Sequence, residues 1–107
     1  MSETLTRVQQ LIAQGKVRAS QHGYNELAKD RLFYEELISG VGGAIVVEDY
    51  PQYAKGPCVL VLQSDPRGLP VHVLWGIYAG TTEPAVLVTA YRPDPSRWDS
   101  GFLRRQP

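Results

Sequence analysis

The sequence predicts an α+β fold: two or three N-terminal helices packed on a four-stranded antiparallel sheet, a meander. Three observations carry this. Apolar residues recur at helical spacing as far as Ile38, and Gly40, Gly42 and Gly43 then stop the pattern. From Ala44 to Arg92 the chain reads instead as apolar runs rich in β-branched residues, separated by turn sequences. The helices are thus expected within about residues 3–40 and the sheet within about 44–92, followed by an extended segment at 93–107. A length of 107 residues fits one domain, spanning 1–107, with a core large enough to fold without staples.

Each element has a local reason. Leu5, Val8, Leu11 and Ile12 mark a first helix near Glu3 to Gln14, with Gly15 where it would end. Lys16-Val17-Arg18-Ala19 is a short extended piece or a connector. Ser20 is a good N-cap for a second helix beginning at Gln21-His22 and carrying Tyr24, Leu27 and Ala28. Leu32, Phe33, Leu37 and Ile38 continue the helical spacing after a break near Asp30. Strands follow at Ala44 to Tyr50, Cys58 to Gln63, Val71 to Tyr78 and Ala85 to Arg92. Asp65-Pro66-Arg67-Gly68 is a strong turn sequence between the second and third strands, and sequential hairpins imply antiparallel pairing.

Composition narrows the class. Hydrophobic content of 43% and charged content of 21% suit a folded domain rather than a disordered chain. The single cysteine, Cys58, excludes an intramolecular disulfide and points to a reducing cytoplasm. No apolar run approaches a membrane span, and Met1-Ser2-Glu3 does not open a secretory signal. Zero net charge argues against a protein that grips nucleic acid by bulk electrostatics. The distribution is less even. Arg92, Arg97, Arg104 and Arg105 make the end of the chain basic, while residues 26–49 are acidic. Solvated surface charge accounts for this, and so does a small basic edge able to hold phosphate or carboxylate.

The segment from Ala90 to Trp98 concentrates side chains suited to a site. Pro93 and Pro95 forbid a further ladder, so Tyr91, Arg92, Arg97 and Trp98 sit on a stiff strand exit. With residues 65–68 as the loop, Leu62 is expected to pair with Val71 and Val61 with His72. A connection at about 79–84 places Ile77 opposite Val86 and His72 opposite Tyr91. Val71, Val73, Trp75 and Ile77 then line the helix-covered face with Val86 and Val88, and His72 and Tyr91 share the other.

His22 and His72 are the only histidines. His22 falls in the first turn of a helix, whose dipole keeps the imidazole neutral and able to act as base or hydrogen-bond partner. Local packing near Ser20 explains it equally, as a half-buried sheet position explains His72. Two histidines without a thiol or carboxylate partner are a weak metal signal, so neither a metal nor a cofactor is expected. Cys58 reads as a small buried thiol. Gly40-Val41-Gly42-Gly43 precedes a strand, so it is no phosphate loop. Tyr50, Tyr53 and Lys55 read as cover for the core edge, and Trp98 as a seal folded back on the sheet.

Ser20-Gln21-His22, Pro70-Val71-His72-Val73-Leu74-Trp75-Gly76 and Val88-Thr89-Ala90-Tyr91-Arg92-Pro93-Asp94-Pro95-Ser96-Arg97-Trp98 together resemble a bacterial family known only as domain of unknown function 4258. The resemblance covers about residues 5–100. Relatives carry arginines after Ser-x-His in a pattern like His-x-x-x-Arg, where this chain has Glu26 and Asp30, with Arg31 one place on. The resemblance implies a small α+β protein similar in outline to the RelE and BrnT toxins, several of which cleave RNA without a metal.

Two functions follow as expectations. The first is a metal-independent ribonuclease-like toxin, with an antitoxin-like protein partner and RNA as substrate. Cleavage through the 2′-hydroxyl needs a base, an acid and cations for the phosphate. His22 and His72 are the candidate base and acid, Tyr91 orients or donates, and Ser20, Arg92, Arg97 and Trp98 complete the binding set. The second is a non-catalytic domain binding a protein or a small anion, which the exposed aromatics and divided charge suit.

Overall fold

Residues 2–107 are described by a computed structural model. Met1, part of the opening read for a leader, lies outside the described residues. Helix α1 (Glu3–Ala13) starts where the Ser2 hydroxyl accepts a hydrogen bond from the Leu5 amide at 3.0 Å. It ends in paired bonds, Gly15 N–H to the Ile12 carbonyl and Lys16 N–H to the Leu11 carbonyl, around Gly15 at φ 76°. Helices α2 (Gln21–Lys29) and α3 (Tyr34–Gly40) follow, then a short 3₁₀ turn at Val41–Gly43.

The sheet has five strands where four were expected: β1 (Val17–Ala19), β2 (Ile45–Tyr50), β3 (Cys58–Ser64), β4 (Pro70–Gly76) and β5 (Ala85–Tyr91), in the order β1-β5-β4-β3-β2. The antiparallel meander from β2 to β5 is present. The correction is β1, which lies parallel to β5 with Val17 opposite Ala85 and Ala19 opposite Leu87. Three residues are too short to show a two-residue period, yet they give the outer edge of β5 its ladder partners.

Register departs from expectation in two places. Leu62 pairs with His72 and Val61 with Val73, one residue away from the sequence reading. The cause is the turn: the Asp65 amide bonds the Leu69 carbonyl, so the hairpin closes at 65–69 with Gly68 at φ 80°. In β5 the ladder slips between Leu87 and Thr89, leaving Val88 as a bulge. Leu87 and Ala85 therefore join the core, while Val86 and Val88, expected under the helices, lie on the other face. His72 does stand opposite Tyr91.

One core lies between the helices and one sheet face, with Leu5, Val8, Leu27 and Leu37 against Val59, Val61, Val73, Trp75 and Leu87. Its polar atoms are matched: Trp75 Nε1 donates to Gln63 Oε1, and Gln63 Nε2 to the Leu37 carbonyl, both at 2.9 Å. Gly23 lets α2 lie directly on β5, since a Cβ there would fall 2.4 Å from the Leu87 carbonyl oxygen.

The segment after β5 is not extended as expected. It turns at Asp94–Arg97 and reverses through Asp99–Phe102, and Arg105 bridges Trp98. Asp99 drives the reversal by accepting from the Leu103 amide at 3.0 Å. This small hairpin lies on the sheet face opposite the helices.

Candidate functional site

That open face carries two neighbouring features, one closed and one open. The closed one surrounds His72, which has no exposed surface. Its Nε2 lies 2.7 Å from the Phe102 carbonyl and its Nδ1 lies 3.2 Å from the Tyr91 hydroxyl. A carbonyl only accepts, so Nε2 carries the proton and Nδ1 accepts from Tyr91. Trp98 meets the imidazole edge-on at a centroid distance of 4.4 Å and is itself 4% exposed. Arg105 closes the chamber, donating from Nε and one Nη to Glu48 at 3.0 Å each, with its guanidinium 4.7 Å from the Trp98 ring centre.

The electrostatics match this closure. Burial holds His72 below the ordinary histidine range, against the opposing effect of its bond to Phe102. Burial raises Tyr91. The hydrogen bond from Arg105 lowers Glu48. Glu48 reaches this face because β2 is bulged at Val47: Val46 pairs with Val61, but Glu48 pairs with Leu60. Both nitrogens of a neutral imidazole are thus engaged, and no lone pair faces solvent.

The expected site residues divide. His72, Tyr91 and Trp98 come together. His22 sits on α2, on the opposite side of the sheet, largely exposed and 3.8 Å from Glu26. Ser20 caps α2 by accepting from the Gly23 amide at 2.9 Å, and its hydroxyl donates to the Val88 carbonyl at 3.2 Å. It ties the helix to the bulge. Arg92 turns away from His72, donating to Asp65 at 2.8 Å and to the Pro70 carbonyl at 3.3 Å. Arg97 is exposed, 4.0 Å from Asp94. Among the described residues, no group of three or more His, Cys, Asp or Glu could hold a metal ion.

The open feature is a cleft of about 350 Å³ between the 51–57 loop and β4–β5, lined chiefly by Tyr50, Tyr53, Lys55, Leu74, Tyr78 and Val88. Two glycines make it. Gly76 leaves its floor without a side chain, and Gly56, at φ 120°, lets the loop dock where a Cβ would lie 2.1 Å from the Ile77 carbonyl oxygen. Tyr53 and Tyr78 remain 54% and 40% exposed. Arg18 lies over Tyr78 at 5.2 Å. Tyr50, Tyr53 and Lys55, expected to cover the core edge, line this cleft. Glu48, Arg105 and Phe102 are not marked by the sequence pattern, because each reaches the chamber through a bulge or a turn.

Comparison with known families matches residues 19–92 to Domain of unknown function (DUF4258), more than half of the chain. The chain belongs to that family. No curated protein matches it, and no solved structure does. The DUF4258 match runs from Ala19, in β1, to Arg92, just past β5. It is shorter than the resemblance read from residues 5–100. His72, Tyr91 and the cleft fall inside it, while Trp98, Phe102 and Arg105, which close the chamber, fall outside. No helix among the described residues is long and apolar enough to cross a membrane.

Proposed function

We propose that this DUF4258 domain is a non-catalytic recognition module whose cleft takes an apolar side chain from an acidic segment of a partner protein. The cleft carries the reading. Its lining is mostly apolar, its tyrosines are the residue type that anchors protein interfaces, and Gly76 leaves room for one inserted side chain. Charge selects the partner. Lys55 is the only charged lining residue, Arg18 lies over the ring of Tyr78, another lining residue, and neither has a carboxylate partner among the described residues. In a toxin–antitoxin pair, the partner would be the antitoxin.

Fluorescence polarisation with short acidic peptides carrying one Leu, Phe or Trp tests this. Saturable binding is expected, lost when the acidic residues become lysine and weakened at least about tenfold by Tyr53→Ala or Lys55→Glu. Binding indifferent to peptide charge and to both variants would overturn the reading.

A second reading is favoured by one observation: His72, Tyr91 and Glu48 lie together beneath a segment that Arg105 helps hold down through its partly exposed ion pair with Glu48. Displacing that segment would present an imidazole, a phenol and a carboxylate, groups able to serve as the base and acid of a metal-independent ribonuclease. RNA cleavage that appears with Trp98→Ala and vanishes with Trp98→Ala/His72→Gln would favour it over the first.

A further inference from the structure

A second cleft, of about 330 Å³, opens at the far end of the sheet between the α2–α3 junction and the β3–β4 turn. Arg31, Arg67 and Arg92 converge on it, with Phe33, Glu36 and Asp65. The buried Asp65 organises the arginines. Its Oδ1 accepts from the Arg67 and Leu69 amides at 2.9 Å each, and its Oδ2 takes Arg92 at 2.8 Å. These hydrogen bonds, the Leu69 amide foremost, keep the carboxylate ionised well below the usual aspartate range.

One carboxylate so fully engaged leaves cationic capacity unspent. Arg67 reaches the same Oδ2 only at 3.7 Å and is mostly exposed, and Arg31 has no carboxylate partner among the described residues. Arg31 also holds φ at 55°, a left-handed conformation that a glycine would adopt without strain. Two places on, Phe33 is 65% exposed, the most exposed large apolar side chain among the described residues. A strained arginine and an unburied aromatic ring bordering one cleft both work against folding, and both suit a ligand with an anionic end and a flat ring.

We propose that this cleft binds a nucleoside phosphate, its phosphate on the guanidinium groups of Arg31 and Arg67 and its base stacked on Phe33. Glu36 lies where it can accept from a sugar hydroxyl or a base amino group. Arg92 is a positioning residue: its backbone amide is held by Asp30 at 2.7 Å, and its side chain fixes Asp65. The ligand's source is either a free nucleotide or a single-stranded RNA, since both offer this chemistry.

Calorimetric titration at low salt with inorganic phosphate, adenosine monophosphate and a short single-stranded RNA tests the assignment. Adenosine monophosphate is expected to bind several-fold more tightly than phosphate, and Phe33→Ala should erase that difference alone. Arg67→Ala and Arg31→Gly should each weaken every ligand by about tenfold or more. Arg31→Gly should also leave the melting temperature unchanged or raised, which separates lost binding from lost fold. Affinity that rises with strand length assigns RNA; equal affinity for mononucleotide and strand assigns the free nucleotide. Failure of all three probes to saturate at millimolar concentration, or binding unaffected by these variants, would overturn the proposal.

Discussion

The chamber around His72 and the tyrosine cleft share one sheet face, yet they use similar residues in opposite ways. In the chamber the imidazole is engaged by the Tyr91 phenol and the Phe102 carbonyl, with the Trp98 indole packed edge-on against it. In the cleft Tyr53 and Tyr78 stay exposed around a floor that Gly76 leaves bare. The contrast teaches that a histidine facing a tyrosine is not by itself a reactive pair. What decides is whether surface is left open to a ligand, and on this face the open surface is in the cleft.

Breaking the closed region should cost the most. Trp98→Ala removes a buried indole from His72, and a loss of about 3–5 kcal/mol is expected by chemical denaturation. Gly56→Ala attacks the cleft instead. Its Cβ would meet the Ile77 carbonyl, so the 51–57 loop must lift, with a loss of about 2 kcal/mol and peptide binding abolished. Should Gly56→Ala bind acidic peptides normally, the loop is not the wall of the site.

The chamber should also leave a pH signature. Folded His72 has a lowered pKa, so below about pH 6.5 the unfolded chain takes up a proton that the folded chain does not. Stability is then lost as pH falls from about 6.5 toward the lowered folded value, and His72→Gln should flatten the curve across that window. A curve with equal slope in both proteins would place the proton elsewhere. The smallest effect is expected for Arg105→Ala, about 0.5–1 kcal/mol and shrinking with added salt, because the Glu48 pair is partly exposed.

Much of this arrangement was legible before the structure, for definite reasons. The first helix follows from the spacing of Leu5, Val8, Leu11 and Ile12, the second from Ser20 as its cap, and the His72–Tyr91 pairing from the hairpin between β4 and β5. What escaped depends on single inserted residues. The bulges at Val47 and Val88 reverse faces without changing the local pattern of apolar residues, which is why Val88 was assigned to the core and Glu48 to no site. Trp98 does fold back on the sheet as read from the sequence. The reversal beyond it, which brings Phe102 and Arg105 to the chamber, rests on Asp99 capping its own turn within a stretch expected to be extended. Of the expected basic set, Arg92 proved committed to Asp65, and Arg31, raised only as a displaced family arginine, faces an open cleft.

The division of labour on the open face is tested most directly by titrating one fluorescent acidic peptide into Tyr91→Phe and Tyr53→Ala, with RNA integrity followed in the same samples. Tyr91→Phe removes only a hydroxyl inside the chamber and should bind like the parent protein, Tyr53→Ala should lose binding, and RNA should stay intact throughout. Unchanged binding by Tyr53→Ala, or RNA cleaved by the parent protein and spared by Tyr91→Phe, would contradict the account.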